Sequence, residues 1–272
     1  MTLDRFGETV RPGGAALYAA VTAHRLGLSA ALLTSHGDDF PLAAIPPRIE
    51  VVSVPAPETT AFEHVVERGR RQLRVQSAAG PLTPDDVPDD WREAPIVQLA
   101  PVLSEVDPRL AAVFGAAAIG VEAQGWLRSV DTDGSVAGYA WRPPVFLLPL
   151  VQALFVSSQD VRGQEAQMLE WMQRVPIGVV TGGAAGALLY VNADRYEVRP
   201  RPARHELDAT GAGDVFAATF LVYYHRGGSP WEAAEAAACA ASLAVEGEGW
   251  TTVPDAVTLE SELARYRAEQ TG

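Results

Sequence analysis

Asp208-Ala209-Thr210-Gly211-Ala212-Gly213-Asp214 runs directly into Val215-Phe216-Ala217-Ala218-Thr219-Phe220-Leu221. Small residues and two glycines precede an acidic residue, and an apolar run of helical character opens immediately after it. A Gly-Ala-Gly turn at a helix start aims several backbone N–H groups at one point, and the helix dipole adds partial positive charge there. Such a place attracts an anion and can stabilise charge on a phosphoryl group in transit. Asp214, at the start of the helix, can accept a proton from an attacking hydroxyl. The same residues also fit a plain helix cap after a glycine turn, which needs no chemistry.

Upstream of this junction, strand-like apolar runs alternate with helix-like segments, the pattern of a mainly parallel sheet covered by helices. Residues 15–26 read as a helix that Gly27 stops. Strands are expected at 30–34, 49–54, 96–99, 117–121, 153–156 and 178–181, and helices at 106–114 and 164–174. Residues 188–191 and 195–198 flank Asn192-Ala193-Asp194, a hairpin turn. Two short β-like runs, 62–66 and 72–75, surround Glu67-Arg68-Gly69-Arg70 with no helix between them, and read as a projecting hairpin. Residues 81–95, with Pro, Asp and Trp, read as a loop returning to the sheet. Nothing in the composition divides the chain, so the expectation is one domain over residues 1–272 with a small β excursion around 57–77.

The chain has 272 residues, of which 48% are hydrophobic, ample for a core. Its formal net charge of −13 argues against nucleic acid or an anionic membrane as partner, since both need a positive field. All the cationic side chains are Arg; the sequence contains no Lys. That excludes a P-loop lysine, a Schiff-base lysine and pyridoxal-phosphate chemistry. The single Cys, Cys239, lies in an Ala-rich stretch and reads as a packed thiol. No apolar run approaches the ~20 residues of a membrane span, so a cytoplasmic protein is expected.

Other stretches carry weaker signals. Arg11-Pro12-Gly13-Gly14-Ala15-Ala16-Leu17-Tyr18 places two glycines before a helix, where a ligand can approach the backbone closely. Val179-Val180-Thr181-Gly182-Gly183-Ala184-Ala185-Gly186 is a strand running into a glycine-rich loop. Glu122-Ala123-Gln124-Gly125-Trp126-Leu127-Arg128 and Ser157-Ser158-Gln159-Asp160 each follow an expected strand and bring carboxylates and an Arg.

Taken together these stretches resemble the PfkB, ribokinase-like carbohydrate kinases. The 208–214 string is close to the family's C-terminal signature, with Ala209 where Thr or Pro is usual. The diglycine matches the motif that binds substrate hydroxyls, with Tyr18 where an Asn is common. The loop after Thr181 matches the nucleotide-binding segment. Segment 122–128 resembles an Asp-x-Asn-x-x-x-Arg-like element, and 157–160 an Asn-x-x-Glu motif that helps hold Mg²⁺ and phosphate through water.

The resemblance implies a three-layer α/β/α fold with a β lid from about 57–77, and ATP-dependent phosphorylation of a hydroxyl. Asp214 would be the base, with the amides of Gly211, Ala212 and Gly213 as the anion hole. Asp4, Gly13, Gly14 and Arg128 would bind the acceptor. Thr181, Gly183, Gly186 and Asp208 would line the ATP site, and Asp160 would meet Mg²⁺, a shorter carboxylate acting through water. The short chain and the diglycine variant look most like the myo-inositol kinase-like branch. An acceptor sugar, polyol or nucleoside is expected, and the lid edge permits a homodimer.

Family members begin with an apolar strand, then Gly, then a substrate-binding Asp. Here Met1-Thr2-Leu3-Asp4 matches only the end of that element, so a mid-sheet strand is expected to be absent or reduced, by a late-placed start site or natural trimming. This, Ala209 and the altered 157–160 motif also fit a ribokinase-fold ligand sensor without catalysis.

Overall fold

A computed structural model describes residues 1–67 and 70–271. Its largest sheet has six strands in the order β14-β13-β12-β11-β8-β7. These are β7 (Ile96–Leu99), β8 (Ala118–Glu122), β11 (Ala153–Ser157), β12 (Ile177–Thr181), β13 (Ala187–Val191) and β14 (Asp194–Val198). The first four run parallel, and β13 and β14 close one edge as an antiparallel hairpin. Asn192 and Ala193 turn that hairpin with φ of 49° and 73°, the left-handed pair a two-residue loop requires.

The central strands are apolar on both faces because both are covered. Phe155, Ile177, Val179 and Leu189 pack against α3 (Ala212–Gly227) and α4 (Pro230–Ala244). Phe155 meets Phe216 and Phe220 edge-on at 6.5 and 5.5 Å, an arrangement that adds ~0.5–1.5 kcal/mol per pair beyond burial. On the other face Leu154, Val156 and Val180 pack against Trp126, Trp141 and α2 (Glu165–Met172) through Met168, Trp171 and Met172. Helices therefore lie on both sides of one sheet, the expected α/β/α layering. Helix α1 (Ala15–Arg25) packs on α3, and α5 (Ala256–Thr271) on α4.

The strands and α2 lie within one or two residues of where the sequence puts them. The helix expected at 106–114 is a short 3₁₀ segment, Pro108–Ala112, capped by Asp107. Residues 81–95 hold two 3₁₀ turns, Pro84–Asp86 and Asp89–Trp91.

The beginning of the chain departs further from expectation. β1 (Thr2–Phe6) and β2 (Thr9–Gly13) form a hairpin, and β1 pairs parallel to β5 (Thr60–Glu67), which pairs with β6 (Arg70–Ser77). The excursion expected as one hairpin is thus a four-stranded sheet, β2-β1-β5-β6. The expected turn at Glu67-Arg68-Gly69-Arg70 has its central residues, 68 and 69, outside the described residues. β3 (Ala31–His36) and β4 (Glu50–Pro55) make a separate two-stranded sheet, and the six-stranded sheet ends on β7. The outer side of β6 is bridged at Arg74 to Ser135, and the Val75 amide donates to Gly134 O at 2.8 Å. Among the described residues β2 and β6 are the two edges of this sheet, β6 being met at Arg74 and Val75.

Candidate active site

Parallel strands of an open α/β sheet present their carboxyl ends to a crevice. Here Glu122 ends β8, Ser157 ends β11 and Thr181 ends β12, with Glu122 in register with Phe155 and Ser157 with Thr181. Asp214 reaches the same crevice from the first turn of α3.

Gly211 caps α3 with φ 80°, a conformation that disfavours any side chain. A Cβ there would also fall 2.3 Å from the Tyr18 ring. Tyr18, buried on α1 and edge-on to Trp250 at 6.1 Å, therefore fixes the shape of the turn. The first amides of a helix have no helical acceptor. Ala212 N–H turns back to Ala209 O at 3.3 Å. Gly213 is exposed, with open space where a side chain would be.

Asp214 lies among charges. Glu122, Arg128, Asp4 and Asp160 all act on its carboxyl. Burial raises the Asp214 pKa, against Arg128, whose charge lowers it. Glu122, only 7% exposed, is pushed well above the usual carboxylate range by burial and by the charge of Asp214. The Gln98 amide donates to it. Arg128 donates to Val102 O at 3.2 Å and faces Asp160, Asp214, Glu105 and Asp4. Burial lowers its pKa, but a guanidinium stays charged.

Asp4 is buried in β1, 7% exposed. Thr2 Oγ1 donates to its Oδ2 at 3.3 Å, and His64 Nε2 on β5 lies 3.3 Å from its Oδ1. His64 stacks on Phe6 with ring centroids 4.3 Å apart. A Cβ at Gly13 would sit 2.1 Å from Asp4 Oδ2, and one at Gly14 would meet the Met1 and Thr2 backbone near 3 Å. In this structure the diglycine makes room for β1 and its carboxylate.

The Thr181 loop is a closed turn: Gly182 N donates to Gly186 O at 2.7 Å, with Gly183 and Gly186 at φ 60° and 88°. Thr181 Oγ1 donates to Val156 O at 3.4 Å. Asp208 is engaged by protein donors, the Thr210 amide at 2.9 Å and Arg11 at 3.4 Å, and so braces the approach to Gly211. Asp160 Oδ2 accepts from Ser157 Oγ at 2.7 Å and Gln124 Nε2 at 3.5 Å. Among the described residues no three or more His, Cys, Asp or Glu gather to hold a metal. One carboxylate fits Mg²⁺ only as an outer partner, with water and phosphate filling the inner positions.

The structure thus gathers Asp214, Arg128, Asp4 and Asp160 within one electrostatic neighbourhood. The reading of the sequence quoted Glu122 at the head of the 122–128 segment without a role, and passed over Gln98 and His64. Glu122 does carry a signal, as a lone carboxylate closing the apolar strand Ala118-Ile119-Gly120-Val121.

The pattern of the pfkB family carbohydrate kinases matches residues 6–256. A nucleoside kinase of Methanocaldococcus jannaschii (strain ATCC 43067 / DSM 2661 / JAL-1 / JCM 10045 / NBRC 100440) is 32% identical over 83 residues, 30% of this chain and 28% of that protein. The matched stretch thus spans little more than a quarter of that relative. A sulfate-bound pyrophosphate-dependent kinase in the ribokinase family superposes with a TM-score of 0.80 at 22% identity, covering 95% of this chain and 96% of that one. Such a kinase with a pyrophosphate analogue and myo-inositol gives 0.78 at 22%, covering 96% and 95%. At these identities the likeness shows the fold, which is ribokinase-like.

Proposed function

This chain belongs to the pfkB family of carbohydrate kinases, and on that footing we propose that it transfers the γ-phosphoryl of ATP to a hydroxyl of a sugar or polyol, with Asp214 as base. The observation that carries the reading is Asp214 in the first turn of α3, directly after the left-handed Gly211 turn. Asp4 and Arg128 orient the acceptor, with Gly13 and Gly14 shaping its floor. Asp214 takes the proton of the attacking hydroxyl as the oxygen approaches phosphorus. The amides of Gly213 and Asp214 and the dipole of α3 face the charge on the phosphoryl group, and Gly211 sets their direction. Thr181, Gly183, Gly186 and Asp208 line the donor side. Asp160 would hold Mg²⁺ through water, and the ion would supply neutralisation of phosphate charge.

The small sheet β2-β1-β5-β6 serves as a lid that excludes water from the reacting groups, and its edges would be where two copies pair. The chain works as one domain, in the cytoplasm. Similar folds come from pyrophosphate-dependent kinases, one of them with bound myo-inositol, so pyrophosphate stands beside ATP as a donor to be tried.

The test is product formation from Mg·ATP or Mg·pyrophosphate against inositol, ribose, fructose, 2-keto-3-deoxygluconate and common nucleosides. One acceptor turned over far above the rest supports the reading and names the substrate. Silence across the panel, from protein shown to be folded, overturns it in favour of a ligand-binding sensor.

A further inference from the structure

Strand β14 ends the six-stranded sheet, with β13 on one side and no strand on the other. Among the described residues no backbone hydrogen bond or isolated bridge crosses its outer edge. Its residues, Asp194-Arg195-Tyr196-Glu197-Val198, are exposed except for half-buried Val198. An edge of this kind offers a row of unpaired N–H and C=O groups to another strand.

Charged side chains on an edge ordinarily discourage pairing, so the order of their signs decides what can approach. Side chains alternate along a strand, which puts Arg195 and Glu197 on one face and Tyr196 on the other. Let a second copy approach antiparallel, with Tyr196 on the two-fold axis. Arg195 then lies opposite the partner's Glu197, and Glu197 opposite the partner's Arg195, two opposite-charge cross-strand pairs from one contact. An antiparallel slip of two residues brings Arg195 against its own copy or Glu197 against its own copy, and parallel pairing in register does both. A slip of one sets the charged face against the aromatic one. The strand therefore complements itself in one register. Among the described residues neither Arg195 nor Glu197 has its side chain in an ion pair or hydrogen bond, so both are free to meet a second copy.

The other face supplies apolar surface. Tyr196 pairs with Leu189 across the ladder and stands edge-on to Trp231, in the first turn of α4, with ring centroids 5.6 Å apart. The two residues are 39% and 50% exposed, which leaves aromatic surface at the sheet edge for a neighbour to cover. On the two-fold axis Tyr196 meets the partner's Tyr196, a favourable aromatic cross-strand pair.

We propose that two copies of this chain associate through β14, antiparallel about Tyr196, so that their six-stranded sheets join edge to edge. This surface is separate from the lid sheet and takes no part in the proposed reaction.

Sedimentation equilibrium of the full chain, native and with two charge reversals, tests the pairing. Native protein should associate in the micromolar range. Arg195→Glu sets like negative charges opposite each other at both pairs, and Glu197→Arg sets like positive charges there. Each should raise the dissociation constant at least about tenfold. Both positions are exposed, so the unfolding transitions should match the native one. Mixing the two variants recreates both opposite-charge pairs between unlike chains, so the mixture should associate about as tightly as native protein although neither variant does so alone. Should the lid edges pair as well, the reversals take a tetramer to a dimer and the mixture restores it. Native protein that stays monomeric into the high micromolar range overturns the proposal. So does association that both reversals leave unchanged, or a mixture that associates no better than its parts.

Discussion

Gly211 answers to two constraints at once, its backbone at φ 80° and the Tyr18 ring 2.3 Å from where a Cβ would lie. Gly211→Ala should therefore destabilise the protein by about 1–3 kcal/mol from backbone strain, with a further steric share. Placed in a Tyr18→Ala background the same change should cost less, because the ring is gone while the strain remains. Denaturant unfolding of the four proteins in this double-mutant cycle separates the two shares; equal costs in both backgrounds would mean that Tyr18 does not shape the turn. This turn was legible in the sequence because its glycines, its Asp and its apolar helix are neighbours in the chain. Gln98 and His64 were not, because each meets its partner far along the chain: Glu122 and Asp4.

At the level of elements, the lid depends on the hairpin β1–β2, which carries Asp4 and ends at Gly13. The sequence reading quoted both ends of this hairpin without joining them. Its strands are five residues each, and the signal was the two-residue loop Gly7-Glu8, with Gly7 at φ 61°. Once β1 pairs with β5, Asp4 and His64 meet across the sheet. His64→Ala should then raise KM for the acceptor about tenfold, the worth of one charge-assisted hydrogen bond, while KM for the phosphoryl donor stays within about twofold. Steady-state kinetics with each substrate varied in turn reads this. A change confined to the donor KM would place His64 elsewhere in the cycle.

Across the molecule, helices cover both faces of the main sheet, and the polypeptide between β14 and α3 must be fastened back to them. Arg201 does this. It is 5% exposed and reaches Glu246 at 2.9 Å just beyond α4 and Glu262 at 2.8 Å on α5. Arg201→Ala takes the guanidinium from Glu246, while Glu262 keeps Arg204 and Arg265, and should cost about 3 kcal/mol in denaturant unfolding. Glu246 is desolvated, yet the Arg204 amide and Arg201 hold it below the usual carboxylate range. Its contribution is complete above about pH 4.3, the ordinary Glu value, and is lost as pH falls through the lower folded value. A native-minus-variant difference that did not shrink on acidification would contradict this. The alternation of strands and helices announced this layering, because periodicity follows from which faces are covered. The placement of residues 2–6 in the lid and the separate β3–β4 pair were not announced, since pairing partners are chosen in three dimensions.

The account stands on Asp214 as the base for phosphoryl transfer, and turnover of Asp214→Asn with the best acceptor tests it most directly. The amide keeps the shape and the helix start but cannot take a proton. The account predicts an unchanged unfolding transition within about 1 kcal/mol and a loss of turnover of at least about a hundredfold. Near-native turnover by the folded variant would contradict it.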